Sequence, residues 1–426
     1  MRAPGQVIDI ARTLQQAGFE TWCVGGAVRD ALLGEAHLDW DLATAATPTQ
    51  VRKLFRRTVP VGIEFGTIGV LDHHNVMHEV TTFRRDVKTD GRHAVVEFGA
   101  SLDEDLARRD FTINAIAYDP IDHRLHDPFG GQLDLARRVV RAVGEADARL
   151  REDRLRALRA IRFAARFRFE IEADTWNAIV RSAPFLPRLS PERVKQELEK
   201  TMEQVLAPST AFARWRDAGA FASLVPILAQ VRDETLRAID ALPRPGLAGR
   251  PLRKTLRMAA LFSEAGGKPA ERALRDLRFS NQDIANISVL VDRWTRFAPP
   301  LTQALAAGAL PHDSVLRRLA AEIGRMRVAA FVRLAAAHWT AVGGVSPAVV
   351  RRLHRRMVAV AFREPIELAD LTVDGDDLRR AGIATGPELG RILHALLQRV
   401  IDEPAANTRE ALLGAARDLA LPPEPA

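Results

Sequence analysis

The pattern of apolar residues changes once along this chain, near Asp147. Before this point, short β-rich runs such as residues 21–26 and 38–44 alternate with helical runs such as residues 27–34. After it, apolar residues recur at helical spacing, and residues 149–167 combine that spacing with arginine on the remaining faces. The predicted fold class is therefore an α+β head followed by a mostly α-helical remainder.

The composition excludes several classes of protein. A chain of 426 residues is too long for one ordinary domain, and we expect about two to four compact units. It has no run of about 18 apolar residues, so we expect no membrane span. The charged positions in residues 1–20 predict an amphipathic helix rather than a signal peptide. Cys23 is the one cysteine, which excludes an intramolecular disulfide and a thiolate zinc cluster, and the cytoplasm is the simplest compartment.

The charge of the chain favours a polyanionic partner. The formal net charge is +7 at pH 7 and the isoelectric point is about 10.2. A basic protein of this kind is typical of those that bind nucleic acid. Arginine-rich composition can also follow from a GC-rich genome, so the charge does not decide the partner by itself.

The strongest local signal is a pair of glycines followed by two alternating aspartates. Asp39 and Asp41 flank one residue of a predicted strand, so their side chains are expected on the same face. Two carboxylates so close repel each other unless a cation lies between them, and Mg²⁺ prefers such oxygen ligands. Upstream, Gly25 and Gly26 expose backbone N–H groups at a helix start, where phosphate binds well, and Arg29 can add a charged contact.

A third carboxylate lies on a neighbouring predicted strand. Residues 65–83 contain two β-rich runs that predict a hairpin around His73, His74 and Asn75, and Glu79 follows that turn. Glu79 is a candidate third ligand for the metal, and a surface glutamate paired with an arginine is an equally good interpretation.

Residues 108–115 form a second cluster of polar side chains. Arg109 can hold a triphosphate, and Asp110 and Asn114 can donate to or accept from a ribose. The alternative is structural, with Asp110 as a helix N-terminal cap and the intervening apolar residues in the core.

The third cluster lies on the predicted helix of residues 149–167 and begins at Glu152. Asp153, Arg156, Arg159 and Arg162 follow at intervals of three residues, which places successive members on one slowly drifting face. A carboxylate beside a planar guanidinium presents fixed acceptors and donors, as needed to recognise the edge of a nucleobase. A salt-bridged, solvated helix face is the alternative interpretation.

The order of these motifs resembles a known family, the class II CCA-adding enzymes and bacterial poly(A) polymerases. The resemblance rests on GGAVRD, LDWDLAT, RRDFTINA, HDPFGG, EDRLRALRAIRF and SPERVKQEL, which occur in this order between about residues 20 and 200. Residues 371–393 and 403–413 also resemble the tail of the longer bacterial CCA-adding enzymes. The resemblance is weaker between about residues 205 and 360.

The resemblance implies four domains, with a head like that of DNA polymerase β. Their expected limits are residues 1–140 for the nucleotidyltransferase head, 141–204 for the neck, 205–300 for the body and 301–426 for the tail. The tail is expected to hold the elbow of tRNA. The implied reaction is template-independent addition of CCA to the 3′ end of tRNA from CTP and ATP, with release of pyrophosphate.

The resemblance also implies roles for individual residues. Gly26, Arg29 and Arg109 would contact the nucleotide phosphates, and Asp39 and Asp41 would hold Mg²⁺. In the neck, Asp153 and Arg156 would pair with the base of CTP or ATP, supported by Arg159 and Arg162. The segment 190–193 would buttress that neck helix.

Three other functions share parts of this pattern. A poly(A) polymerase shares the head and neck motifs, but the basic run expected of it is only weakly matched at residues 52–57. An enzyme that adds only CC or only A is a second alternative, although a polar loop at residues 84–93 favours full CCA addition. A catalytically silent RNA-binding protein is the third, and the intact aspartates argue against it. Ser263 and Glu264 stand where a phosphohydrolase would need His-Asp, so we expect no phosphohydrolase activity.

Overall fold

The computed structural model describes residues 1–35, 39–89, 94–243, 251–383 and 385–420. The chain divides into two compact units. The first comprises Met1–Leu206 and Thr210–Ala229, and the second comprises Ala207–Ser209 and Gln230–Ala426. The finer division into head, neck, body and tail remains a prediction.

The first unit contains strands and short helices. Its strands are β1 (Thr21–Val24), β2 (Asp41–Thr44), β3 (Thr58–Gly62), β4 (Thr67–Leu71), β5 (Met77–Thr82), β6 (Arg84–Thr89), β7 (Ala94–Phe98), β8 (Ala117–Tyr118), β9 (Leu125–His126), β10 (Val139–Val140) and β11 (Glu170–Ile171). The helices up to residue 224 are α1 (Gly5–Gln16), α2 (Gly26–Leu32), α3 (Pro48–Leu54), α4 (Leu102–Ala107), α5 (Gly131–Arg137), α6 (Ala146–Glu152), α7 (Leu155–Phe167), α8 (Ala173–Ser182), α9 (Pro191–Gln204), α10 (Pro208–Asp217) and α11 (Ala220–Leu224).

One sheet organises the head. Its strands lie in the order β3-β4-β5-β2-β1-β8-β9, and β2 and β5 are parallel, with Leu42 opposite Val80. This register brings Asp41 level with Glu79, since each precedes one member of that pair. The predicted hairpin of residues 65–83 is confirmed, because β4 and β5 pair antiparallel across a turn in which Asn75 has φ of 64°.

The head core forms where helices cover this sheet. In α1, the buried residues Val7, Ile10, Ala11 and Leu14 recur at helical spacing, so one face of the helix is apolar. Buried side chains from β1, β2, α4 and β8 also form one cluster, whose members include Val24, Ala43, Leu102, Leu106 and Ala117. The packed sheet therefore gives a rigid base for the ends of β1 and β2.

The predicted helix over residues 149–167 is interrupted, which corrects the sequence interpretation. α6 ends at Glu152 and α7 begins at Leu155, and Asp153 has the extended values φ −148° and ψ 106°. The side chain of Asp153 accepts a hydrogen bond of 3.0 Å from the backbone N–H of Leu155. Short acidic side chains compete in this way with helical hydrogen bonds. Asp153 therefore does not share a helix face with Arg156.

The predicted polar loop at residues 84–93 is also corrected in part. Arg84–Thr89 form β6, which pairs antiparallel with β7 in a separate two-stranded sheet. Arg85 and Glu97 lie opposite each other and form an ion pair of 2.9 Å, which favours strand pairing at this position. Residues 90–93 of the predicted loop lie outside the described residues.

The second unit is helical throughout its described residues. Its helices are α12 (Asp233–Asp240), α13 (Pro251–Leu261), α14 (Gly267–Asp276), α15 (Asn281–Ala306), α16 (Asp313–Ile323), α17 (Val328–Val342), α18 (Pro347–Arg363), α19 (Gly375–Arg380), α20 (Pro387–Asp402) and α21 (Arg409–Ala420). Pro299 and Pro300 lie inside α15 rather than at one of its ends. The buried residues Ala298, Leu301 and Leu305 continue the apolar face past both prolines. Within the described chain, no helix is long and apolar enough to cross a membrane.

Gly131, the first residue of α5, tests the packing beside the sheet. A Cβ at this position would lie 2.2 Å from the backbone oxygen of Thr112 and 2.7 Å from Cγ1 of Ile116. We expect Gly131→Ala to lower the free energy of unfolding of the first unit by about 1–3 kcal/mol, measured by urea denaturation. Gly5→Ala is the matched control, because Gly5 also begins a helix but has open space around it. Equal stability of the two variants would contradict the prediction.

Candidate active site

A cleft of about 460 Å³ lies within the first unit, beside the ends of β1 and β2 and the start of α7. The lining residues come from both the predicted head and the predicted neck. They are Gly25, Gly26, Arg29, Asp41, Arg108, Arg109, Asp110, Asn114, Asp153, Leu155, Arg156, Arg159, Phe163 and Arg193. The three sequence clusters therefore meet in one cavity, although they are far apart along the chain.

Gly25 forms part of one wall of the cleft, at a position where a side chain would be unfavourable. It has φ of 80°, in the left-handed region that favours glycine. A Cβ here would lie 3.2 Å from an Arg109 guanidinium nitrogen and 3.8 Å from a carboxylate oxygen of Asp41. The turn therefore exposes backbone between a cation and a carboxylate, with α2 beginning at Gly26.

Asp41 lies where several carboxylates converge. Burial and then the charges of Asp39 and Glu79 together raise the pKa of Asp41 to about 7, and the charge of Arg109 partly opposes them. Asp39 precedes β2, which begins at Asp41, so the alignment of these two side chains on one strand face stays a prediction. The parallel pairing of β2 with β5 places Glu79 level with Asp41.

The charges around Asp41 indicate whether Asp41 and its neighbouring carboxylates suit a metal ion. A half-buried carboxylate repelled by two others is stabilised by a cation that takes oxygen ligands, and these side chains suit Mg²⁺. Among the described residues, no group of three or more His, Cys, Asp or Glu side chains is close enough to hold a metal by itself. The chemistry of Asp41 and its acidic neighbours fits such an ion, and coordination by Asp39, Asp41 or Glu79 stays a prediction.

Asp110 and Asn114 form a hydrogen-bonded pair that holds an arginine at the cleft. The Asp110 carboxylate accepts from the Asn114 amide at 2.9 Å and from Arg159 Nε at 2.8 Å. Burial alone would raise the pKa of Asp110, but Arg159 and these hydrogen bonds outweigh it and lower the pKa to about 2. The alternative role of Asp110 as a helix N-cap is wrong, since Phe111 precedes the single turn that follows.

Family profiles match three stretches of the chain. Residues 21–141 match the "Poly A polymerase head domain". Residues 168–232 match a profile described as an RNA- and SrmB-binding site of polymerase A, and residues 356–416 match "tRNA nucleotidyltransferase domain 2". The first two profiles cover most of the elements that line the cleft.

The chain is similar over almost its whole length to curated relatives. The CCA-adding enzyme of Geobacillus kaustophilus is 35% identical over 419 residues, which cover 96% of this chain and 95% of the relative. The CCA-adding enzyme of Lactiplantibacillus plantarum is 34% identical over 417 residues, which cover 96% and 95%. The chain belongs to the CCA-adding enzyme family.

Solved structures of the CCA-adding family have the same fold. The Bacillus stearothermophilus CCA-adding enzyme in complex with CTP has a TM-score of 0.73 at 32% identity, covering 97% of this chain and 96% of that chain. The Thermotoga maritima CCA-adding enzyme complexed with tRNA-CCA has a TM-score of 0.67 at 21% identity, covering 98% and 97%. The predicted family and fold class, an α+β head followed by helical domains, are confirmed.

Asp153 and Arg156 are the candidates for base recognition in this member of the CCA-adding family. The side chain of each is held by a different residue. Asp153 forms an ion pair of 2.7 Å with Arg193. Arg156 forms an ion pair of 2.6 Å with Glu152 and donates to the backbone oxygen of Arg108 at 2.9 Å. Both side chains line the cleft, whereas Glu152 does not. Glu152 therefore positions Arg156, and the contact predicted for the 190–193 segment is present.

Arg29 lines the cleft, and some of its donors bond within the protein. The residue is 3% exposed. Its Nε donates to Asp30 at 2.7 Å, and Nη1 donates to Asn114 at 2.5 Å. Its guanidinium also lies 4.7 Å from the ring centre of Phe167. These bonds do not use all five guanidinium N–H groups, so a phosphate contact by Arg29 stays a prediction.

Arg162 lies behind the cleft rather than in its lining. Its Nε donates to Glu197 at 2.7 Å, and Nη1 donates to Gln204 at 2.9 Å. The Arg162 and Glu197 side chains are 4% and 2% exposed. The pair fixes α7 against α9, which agrees with a supporting role and not with nucleotide contact.

The sequence interpretation missed several lining residues. Arg108, Leu155 and Phe163 line the cleft but were not among the predicted site residues, and Arg193 was predicted only as a buttress. The signal for Phe163 was available, because it follows Arg159 by one helical turn on α7. Arg108 and Leu155 are chain neighbours of predicted residues, whereas Arg193 reaches the cleft through its contact with the distant Asp153.

Proposed function

We propose that this chain adds CCA to the 3′ end of tRNA, using CTP and ATP and releasing pyrophosphate. The observation that carries this proposal is the single cleft that joins Asp41 to Asp153 and Arg156. A template-independent polymerase needs its reaction centre and its base-reading groups in one cavity, because the protein replaces the template. Full-length similarity to CCA-adding enzymes supports the same reaction.

The metal would be held by the Asp39 and Asp41 carboxylates. Bound Mg²⁺ would supply activation of the RNA 3′ hydroxyl and neutralisation of charge on the phosphates. The chain's own contribution is to hold these carboxylates next to Arg109 and the cleft-lining backbone of Gly25 and Gly26. In the reaction, the RNA 3′ oxygen forms a bond to the α-phosphorus of the nucleotide, and the bond to pyrophosphate breaks.

The nucleotide phosphates and sugar would lie along the head wall of the cleft. Arg109 is held by an ion pair of 3.2 Å to Asp105, which orients its guanidinium. Its charge is placed for the triphosphate, as are the backbone N–H groups after Gly25. Asn114 and Asp110 line the same wall and would bond the ribose through the hydrogen-bonding capacity their internal bonds leave.

The base would be read at the start of α7. Asp153 offers a carboxylate acceptor and Arg156 a planar donor, and each is fixed by its own ion pair. Fixed donors and acceptors reject a base with the wrong edge, because an unmatched buried polar group costs free energy. Phe163 adds an apolar surface to the same cavity.

Asp153→Ala is expected to weaken nucleotide selection. Loss of one hydrogen bond in a reading site costs about 1–3 kcal/mol, which reduces discrimination against UTP and GTP by about 5- to 150-fold. The measurement is the ratio of kcat/KM for CTP and UTP on a tRNA that lacks CCA. Asp122→Ala, an exposed carboxylate of the first unit, is the control. Unchanged rejection of UTP in Asp153→Ala would contradict the reading role.

A primer-extension assay tests the function itself. Three tRNA transcripts would end before CCA, after C and after CC, and each would receive CTP, ATP or both with Mg²⁺. Extension to CCA with a stop there supports the proposal. Addition of only CC or only A, or a long A tract, would instead identify one of the alternative nucleotidyltransferases, and binding without extension would identify a silent RNA-binding protein.

A further inference from the structure

An exposed aromatic residue on the first unit is flanked by arginines. Phe185 lies in the short 3₁₀ helix Ala183–Arg188 between α8 and α9 and is 41% exposed. The guanidinium carbon of Arg154 lies 4.8 Å from the Phe185 ring centre, and that of Arg188 lies 5.2 Å from it. With Arg151, these residues form a surface that we call the Arg–Phe surface (Arg151, Arg154, Phe185 and Arg188).

The three arginines of the Arg–Phe surface have unsatisfied charge. Arg154 donates to the hydroxyl of Ser182 at 3.0 Å, and Arg151 donates to the backbone oxygen of Asp147 at 3.2 Å. Both are neutral acceptors, and no ion pair of these three arginines occurs among the described residues. The nearby carboxylate of Asp147 is bonded by Arg181 at 3.0 and 2.7 Å.

The arginines also repel one another. Burial and then the charges of Arg188 and Arg151 lower the pKa of Arg154, and the charge of Asp147 partly opposes them. A protein surface that gathers like charges in this way gains free energy when it binds an anion. Contact with Phe185 restricts the guanidinium groups, so less entropy is lost on binding.

The Arg–Phe surface begins at the rim of the cleft. Arg154 lies between Asp153 and Leu155, which both line the cleft, but Arg154 itself is outside the lining. A nucleotide in the cleft would have its triphosphate near Arg109, whereas an RNA chain must cross the rim to bring its 3′ hydroxyl to Asp41. The chemistry at the rim therefore matches the phosphodiester groups of an entering strand.

We propose that the Arg–Phe surface binds the phosphates of the RNA strand immediately before its 3′ hydroxyl, with Phe185 offering a stacking edge to an unpaired base. This inference rests on the proposed function, because it assumes that an RNA 3′ end enters the cleft. Arginine and aromatic side chains together bind single strands without reading their sequence. Such tolerance suits an RNA end whose last nucleotides change at each addition.

The test compares Arg188→Gln and Arg154→Gln/Arg188→Gln with wild-type protein. We expect the double variant to raise the KM for tRNA by about tenfold, with kcat at saturating tRNA and the KM for CTP unchanged. The salt dependence of tRNA binding should weaken by about 0.7 in the log–log slope for each phosphate that an arginine no longer binds. Arg188→Lys should restore part of the affinity, since it keeps the charge.

Arg12→Gln is the control variant, because Arg12 is an exposed arginine of the first unit that is paired with Asp9. It should leave the KM for tRNA unchanged. An unchanged KM for tRNA in Arg154→Gln/Arg188→Gln would overturn the proposal. A parallel rise in the KM for CTP would also overturn it, since the surface would then serve the triphosphate. Wild-type protein that binds tRNA but never extends it would refute the proposed function instead, and the salt slope would still test the surface.

Discussion

Asp41→Asn is expected to lower the rate of nucleotide incorporation by on the order of 10³-fold or more, with tRNA binding retained. Loss of a magnesium ligand removes several kcal/mol of transition-state stabilisation, and each 1.4 kcal/mol corresponds to about tenfold in rate. Asparagine has nearly the same shape as aspartate, so the cleft keeps its geometry. The measurement is single-turnover incorporation of CMP into a tRNA that lacks CCA.

The same substitution should not unfold the protein, which separates a chemical effect from a structural one. Asp41 is half-buried and is repelled by Asp39 and Glu79, so an uncharged side chain relieves repulsion. We therefore expect a melting temperature of Asp41→Asn at or above that of wild-type protein without metal. Adding Mg²⁺ with CTP should raise the melting temperature of wild-type protein more than that of the variant.

Asp9→Asn is the matched control for Asp41→Asn. Asp9 is an exposed carboxylate of α1, and its loss should leave incorporation unchanged. Incorporation by Asp41→Asn at the wild-type rate would show that the metal assignment is wrong. Glu79→Gln tests whether Glu79 is also a metal ligand. A loss of incorporation rate comparable to that of Asp41→Asn would add Glu79 to the metal ligands. A small loss of rate would mean that Glu79 lies near the metal without coordinating it.

The sequence predicts the parts of this site that depend on local spacing. Gly25 has a left-handed backbone at the wall of the cleft, and such a position is visible as a glycine pair after a strand. Arg156 and Arg159 lie on α7 because the helical period of that segment is strong. These features need no knowledge of distant residues.

The parts that the sequence could not predict depend on contacts between distant segments. Glu79 approaches Asp41 only because β5 pairs in parallel with β2, and pairing order is not encoded in local spacing. Arg29 resembles a free phosphate ligand in sequence, but Asn114 and Phe167 enclose it from other elements. The end of α6 at Asp153 was missed for a different reason, since one side-chain hydrogen bond outweighed a good helical pattern.

Glu197→Gln is expected to have the largest effect on stability of the substitutions considered, about 3–5 kcal/mol in the first unit. The residue neutralises Arg162, and both side chains are almost fully buried. Without the Glu197 charge, Arg162 remains beside two other cations, Arg159 and Lys200. The pKa of Lys200 is already lowered by burial and, in part, by the charges of both arginines. Urea denaturation of the full chain measures the loss.

A double variant distinguishes an unpaired buried charge from a general loss of packing. Arg162→Met/Glu197→Leu removes both charges and should be more stable than Arg162→Met or Glu197→Leu alone, because a buried ion pair can be replaced by apolar side chains at little cost. Asp147→Asn breaks the exposed pair with Arg181 and should cost far less. Additive losses in the double variant would contradict the prediction.

The Arg162–Glu197 pair also links stability to nucleotide selection. It joins α7 to α9, and these helices carry the Arg156 and Arg193 side chains that face the cleft. A loosened α7 should therefore raise the KM for CTP and reduce discrimination against UTP, with the metal-dependent step less affected. If Glu197→Gln instead lowers kcat and leaves selection intact, the pair supports the head and not the base-reading end of the cleft.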